Sequence, residues 1–113
     1  MNVTTERTKG FTVIQPLGAV QRETADEILE EIGRVVDQDV KRIVLDLSRA
    51  DTVDSHGLSC MISAVTRARL READVVLVGP RPFVIGLLQV TRLDQWFDVF
   101  ESMADVERRF ADN

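Results

Sequence analysis

The sequence predicts a single α/β domain over residues 1–113, with a mixed central sheet of about five strands and about four helices. Two short, β-branched apolar runs, at residues 43–47 and 75–78, are typical of strands that are covered on both faces. A helical pattern follows each run, which allows neighbouring strands to be parallel. An N-terminal hairpin makes the sheet mixed, and the predicted order is β-β-α-β-α-β-α-β-α.

The first elements are a hairpin and an amphipathic helix. Residues 3–7 and 11–18 predict two strands joined at Lys9-Gly10, and Pro16 is expected at an edge or a strand end because it has no N–H. Thr24 and Glu27 are spaced as in a capping box, which predicts Thr24 as the N-cap of the first helix. The outer face of this helix is mostly acidic and fits either a solvated surface or a docking face for a basic partner.

The chain is organised around the passage from a buried strand, at residues 42–48, to a helix that opens near residue 55. Ser55 lies where the strand gives way to the helix. Because a helix start carries unpaired N–H groups and partial positive charge, a phosphate on Ser55 would find a favourable site there. The alternative interpretation is that Asp54 or Ser55 is simply the N-cap of the helix.

The later elements continue the alternation. Residues 74–78 predict a strand that Gly79-Pro80 ends, and Pro82 opens a helix through residue 90. Residues 97–100 alternate like a short strand, and Ser102 is the expected cap of a last helix. The polar tail at residues 112–113 is expected to fray.

Composition excludes several classes of function. The net charge of -5 argues against binding to nucleic acid or to an anionic membrane surface, since such sites concentrate Lys and Arg. No apolar segment reaches the roughly 20 residues of a spanning helix, and the N-terminus has no signal-peptide core, so a cytoplasmic location is expected. The single cysteine, Cys60, cannot form an internal disulfide and is expected to be a small buried apolar residue.

The sequence does not favour a hydrolase triad, a transition-metal site or a nucleotide-binding motif. Asp54, Ser55 and His56 are the residue types of a hydrolase triad, but adjacent residues point in different directions and cannot form the relay. With one histidine, one cysteine and no clustered acidic ligands, we expect no metal site, and no glycine-rich motif predicts a nucleotide or another cofactor. Ser55 remains as a hydroxyl that another enzyme could phosphorylate.

Residues 44–48, the spacer to Val53 and the run Asp54-Ser55-His56-Gly57-Leu58 resemble the hallmark of STAS domains, in particular bacterial anti-sigma-factor antagonists, also called anti-anti-sigma factors. The resemblance covers nearly the whole chain. Further landmarks are Gly18 before the first helix, Gly79-Pro80 after a strand, the helix at 83–90 followed by Thr91-Arg92-Leu93, and the segment 97–102.

The resemblance implies a protein-interaction switch without catalysis, cofactor or metal. In this family the unphosphorylated antagonist binds an anti-sigma factor that is also a serine kinase of the GHKL type, which frees a sigma factor. Phosphorylation of the motif serine, here Ser55, ends the binding, and a serine phosphatase resets it. The implied partner-binding residues are Asp54, Ser55, His56, Gly57, Leu58 and Gln21.

The sequence departs from the family pattern in two places, at His56 and in one turn. His56 stands where Ser or Thr is common, and the turn at 18–21 carries Ala19 and Gln21 in place of carboxylates. His56 is then either an exposed residue without a role or a donor to a phosphate on Ser55. The altered turn leaves a second hypothesis open, in which the chain is a constitutive STAS scaffold or accessory subunit of a stress-sensing complex or membrane transporter, insensitive to Ser55.

Overall fold

Seven strands and four helices make up the described part of the chain, residues 2–8 and 10–111 of a computed structural model. The strands are β1 (Val3–Arg7), β2 (Thr12–Pro16), β3 (Gly18–Val20), β4 (Arg42–Asp46), β5 (Ala50–Val53), β6 (Asp74–Val78) and β7 (Asp98–Phe100). The helices are α1 (Arg22–Asp37), α2 (Ser55–Leu70), α3 (Pro82–Val90) and α4 (Met103–Ala111). None of these helices has the length and apolar character needed to cross a bilayer.

The central sheet is mixed and five-stranded, in the order β1-β2-β4-β6-β7, which confirms the predicted fold class. Strand β1 is antiparallel to β2, and the other neighbours are parallel. The predicted hairpin is therefore present, and Pro16 is the last residue of β2, as expected. The turn residue Lys9 and the tail at 112–113 lie outside the described residues.

Helices cover the central sheet on both faces, which explains the continuous apolar runs of β4 and β6. Ile43 and Leu45 pack with residues of α1, α2 and α3, whereas Val44 packs with Val106 and Phe110 of α4. Side chains alternate between the faces of a strand, so both sets of residues of a central strand must be apolar here.

A second, two-stranded sheet was not predicted from the sequence. Strand β3 pairs in parallel with β5, with Gly18 opposite Ala50 and Val20 opposite Val53. The segment that looked like a polar connection before Asp54 therefore contains a strand. This small sheet positions the candidate site, because α1 begins just after β3 and α2 begins just after β5.

The predicted capping box of α1 is wrong. The N-cap is Gln21, whose extended backbone (φ -123°, ψ 177°) leads out of β3, and its side chain makes no capping hydrogen bond. Thr24 is buried within the first turn, and the Glu27 carboxylate accepts a hydrogen bond from the Asn2 backbone N–H. The end of β3 at Val20 fixes where the helix starts and overrides the local signal.

Candidate functional site

The candidate site is the start of α2, where Ser55 is the first helical residue and is exposed. Its position between a strand and a helix was predicted, although the preceding strand is β5 rather than the run at 42–48. Asp54 is the N-cap, because its Oδ1 accepts a hydrogen bond of 2.7 Å from the Gly57 N–H. The capping role thus belongs to Asp54 and leaves the Ser55 side chain exposed.

Two backbone amides beside the Ser55 side chain have no hydrogen-bond partner within the described part of the chain. The Asp54 side chain accepts a hydrogen bond from the Gly57 amide, and the Asp54 carbonyl accepts one from the Leu58 amide at 2.9 Å. The two amides without such a partner are those of Ser55 and His56. They lie at the positive end of a helix of 16 residues. An anion attached at Ser55 would meet both donors.

Gly57 holds the first turn of α2 tightly against the end of β3. A Cβ at this position would lie 2.3 Å from the Val20 carbonyl oxygen and 3.1 Å from the Val20 Cγ1. The Asp54 N–H donates to the same carbonyl at 3.3 Å. Only glycine permits so close an approach of two backbones, so Gly57 positions the site but offers a partner no side chain.

The small sheet places the starts of α1 and α2 side by side. Val20 lies opposite Val53 in the parallel pair, and the next residue along each strand, Gln21 or Asp54, is a helix N-cap. Gln21, Asp54, Ser55 and His56 are all exposed. The structure therefore brings together the implied partner-binding residues from both segments, while Leu58 is half-buried and packs against the core.

His56 contacts α1. Its Nε2 lies 3.0 Å from Asp26 Oδ1. Neither of the two interpretations of His56 suggested by the sequence included this contact. Because Asp54 caps α2 and His56 pairs with Asp26, the adjacent Asp54, Ser55 and His56 side chains do not line up as a catalytic relay.

Cys60 is buried, as predicted, and lies next to the same pair. Its Sγ is 3.6 Å from His56 Nε2 and 3.8 Å from Asp26 Oδ1. Burial and the nearby Asp26 carboxylate raise the pKa of the Cys60 thiol, so the free thiol is held in its protonated form.

One ligand atom from each of Asp26, His56 and Cys60 lies within 4.8 Å of the others, a cluster that was not predicted from the sequence. The spacing of His56 and Cys60, four residues apart on one helix, was visible in the sequence. Asp26 could not be found in this way, since it is 30 residues from His56 and only the packing of α1 on α2 brings it close.

Comparisons with known proteins agree with this architecture. A model of the STAS domain family matches residues 2–106. BtrV of Bordetella bronchiseptica, named as a candidate anti-sigma factor antagonist, is 26% identical over 102 residues, which are 90% of this chain and 88% of BtrV.

Solved structures share the fold at low sequence identity. A candidate anti-sigma factor antagonist from Thermotoga maritima superposes with a TM-score of 0.88 at 16% identity, over 96% of this chain and 94% of that one. The anti-sigma factor antagonist SpoIIAA in its unphosphorylated form gives 0.78 at 20% identity, over 94% of each chain. SpoIIAA of Bacillus in its phosphorylated form gives 0.73 at 19% identity, over 94% of this chain and 97% of that one.

Proposed function

The chain belongs to the STAS domain family, and on this premise we propose that it is an anti-sigma factor antagonist that phosphorylation of Ser55 switches off. In its unphosphorylated form it binds an anti-sigma factor that is also a serine kinase of the GHKL type, and so releases a sigma factor. A serine phosphatase restores the binding form. The chain acts as a binding module, and the kinase supplies the catalysis.

The observation that carries the proposal is the exposed Ser55 hydroxyl beside two amides that have no hydrogen-bond partner among the described residues. A phosphoserine brings about -1.5 to -2 charges at neutral pH. The amides of Ser55 and His56, together with the helix dipole, stabilise this charge within the chain. The fold of the domain therefore tolerates the modification.

A partner docked on the same edge does not tolerate it. In the unphosphorylated form, Ser55 offers a small neutral hydroxyl on an edge where Gln21, Asp54 and His56 are also exposed. Phosphorylation replaces the hydroxyl with a hydrated dianion next to the Asp54 carboxylate. Like-charge contact and the desolvation of the phosphate then oppose docking.

The edge also suggests how the partner differs from those of other family members. Ala19 and Gln21 are uncharged, so the end of β3 lacks the acidic side chains of the family pattern. The complementary surface of the kinase is expected to be correspondingly less basic at this point. Two similar proteins support the proposal. BtrV is named as a candidate anti-sigma factor antagonist and SpoIIAA as an anti-sigma factor antagonist, and SpoIIAA is known in a phosphorylated form.

The phosphosite is tested by mixing the protein with ATP and a GHKL-type anti-sigma kinase encoded in the same genome. Mass spectrometry is expected to find one phosphate, on Ser55, that disappears in Ser55→Ala. Ser59→Ala is the matched control, because Ser59 is an exposed serine one turn further along α2 and should leave the phosphorylation unchanged. Phosphate on another residue would remove Ser55 from the proposal.

The switch is tested by the affinity of Ser55→Asp for the same kinase. We expect binding to weaken at least about tenfold, which corresponds to about 1.4 kcal/mol. Ser63→Asp adds the same charge at an exposed position two turns away and should bind like the wild type. If Ser55→Asp binds as tightly as the wild type, the constitutive STAS scaffold or accessory subunit becomes the better description.

A further inference from the structure

Three potential metal ligands of different chemistry meet where α1 packs on α2. The His56 Nε2 and Asp26 Oδ1 atoms are 3.0 Å apart, and the Cys60 Sγ lies 3.6 Å from the first and 3.8 Å from the second. A tetrahedral zinc ion has a Zn–N distance of about 2.0–2.1 Å, a Zn–O distance of about 2.0–2.2 Å and a Zn–S distance of about 2.3 Å. These distances require separations of about 3.3 Å between N and O, and about 3.6 Å between S and either. The observed triangle needs adjustments of only a few tenths of an ångström.

We propose that Asp26, His56 and Cys60 form a binding site for one zinc-type divalent metal ion. The site is distinct from the Ser55 hydroxyl and does not depend on the proposed switch. Binding replaces the hydrogen bonds among the three side chains with coordination bonds, and the Cys60 thiol releases its proton to solvent. The charges of one thiolate, one carboxylate and a divalent cation then sum to zero.

The ligand set selects the class of metal. A thiolate and an imidazole favour zinc and its transition-metal neighbours over Mg²⁺ and Ca²⁺, which prefer oxygen ligands. His56 and Cys60 are four residues apart, so both project from the same side of α2, a spacing that also presents paired ligands in zinc-binding helices.

The site would keep an open coordination position. Cys60 is buried beneath the pair, whereas the side chains of His56 and Asp26 remain 51% and 57% exposed. Three protein ligands with solvent access match zinc sites that bind water or an exchangeable ligand in the fourth position. The ion would also tie the first turn of α2 to α1, close to the surface that carries Ser55.

Cobalt(II) provides a direct test with the untagged, reduced full-length chain. The chain contains one cysteine and one histidine, so a thiolate-to-cobalt absorption band can come only from Cys60. We expect this band, together with visible bands of tetrahedral cobalt, to saturate at one ion per chain and to be displaced by Zn²⁺. Absence of the band in the wild type would overturn the proposal.

Variants separate this site from non-specific binding. Cys60→Ser should lose the thiolate band, and His56→Ala and Asp26→Asn should each weaken cobalt binding at least about tenfold. Glu30→Gln, an exposed carboxylate one turn further along α1, is the control and should bind like the wild type. Unchanged binding in both His56→Ala and Asp26→Asn would contradict the site.

Thermal unfolding supplies a second readout that remains valid if a variant is less stable. Zn²⁺ should raise the Tm of the wild type and of Glu30→Gln, because a ligand that binds only the folded state stabilises it. It should leave the Tm of Cys60→Ser unchanged. An equal rise in Cys60→Ser would show that zinc binds elsewhere and would overturn the proposal.

Discussion

Replacing Gly57 with alanine should destabilise the protein, although alanine is the better helix former. The added Cβ would lie 2.3 Å from the Val20 carbonyl oxygen, where an ordinary contact is at least 3.4 Å, so the first turn of α2 must move by about 1 Å. The obstructing Val20 oxygen belongs to the backbone, so no side-chain rotation can relieve the contact. The same movement lengthens the hydrogen bond between the Asp54 N–H and the Val20 carbonyl, which already measures 3.3 Å.

The expected magnitude follows from two destabilising contributions and one stabilising contribution. Overpacking costs about 1–3 kcal/mol, and loss of the hydrogen bond costs about 1 kcal/mol. The higher helix propensity of alanine offsets at most about 1 kcal/mol. The net loss for Gly57→Ala is therefore about 1–3 kcal/mol, and at about 4 °C per kcal/mol the Tm should fall by roughly 4–12 °C.

Gly86→Ala is the matched control for this measurement. Gly86 lies inside α3, and a Cβ there would meet no atom of the described residues within 4 Å beyond its neighbours and the nearby backbone of its own helix, so the substitution should be neutral or stabilising by about 0.5–1 kcal/mol. Urea and thermal unfolding followed by circular dichroism measure both variants. If Gly57→Ala is as stable as Gly86→Ala, the close approach of α2 to β3 is not a constraint and the reasoning is refuted.

Three further substitutions test local features of the fold. Asp54→Ala removes the capping acceptor of α2 and should lower the free energy of unfolding by about 1 kcal/mol in urea, whereas Asp54→Asn should retain most of it. The Arg34 guanidinium is the main cause that lowers the pKa of Glu31 from 4.5 to about 2. Because the pKa of Glu31 is lower in the folded state, the stabilisation from its ionised carboxylate is complete above pH 4.5 and is lost as the pH falls towards 2. Glu31→Gln should therefore flatten the pH dependence of the free energy of unfolding between these values. The change should be no more than about 1 kcal/mol, because the ion pair lies at the surface. The Arg69 guanidinium lies 4.4 Å above the ring of Trp96, the one tryptophan of the chain. Arg69→Met should therefore lower the free energy of unfolding by about 0.5–1 kcal/mol and change the tryptophan emission. An unchanged emission spectrum would argue against the contact.

The central sheet was predictable because its signals are local. The apolar runs of β4 and β6 must serve two covered faces, so they are short, continuous and β-branched, and they stand apart from the helical patterns between them. The start of α3 was equally clear, since Pro82 can begin a helix but is unfavourable within one.

The small sheet escaped prediction because long-range pairing creates it. Strand β3 has three residues, and β5 contains Asp51, so neither has the apolar character of a strand in isolation. Each is a strand only because the other lies beside it. The end of β3 then places the N-cap of α1 at Gln21 instead of the predicted Thr24, against the local capping signal.

The candidate site also has features that local sequence predicts and features that depend on long-range packing. The positions of Asp54 and Ser55 at a helix start follow from residue types next to one another in the sequence. The contact of Gly57 with Val20 and the approach of Asp26 to His56 depend on how distant segments pack. Sequence patterns could therefore indicate Ser55 as a candidate phosphosite but not the cluster of Asp26, His56 and Cys60 beside it.

The affinity of the proposed partner, an anti-sigma kinase, for the chain with and without phosphate on Ser55 is the most direct test of the proposed switch. Isothermal titration of the unphosphorylated protein and of the same protein fully phosphorylated at Ser55 gives both values. We expect phosphorylation to weaken binding at least about a hundredfold, or about 2.7 kcal/mol, and phosphatase treatment to restore it. Equal affinities for the two forms would contradict the switch.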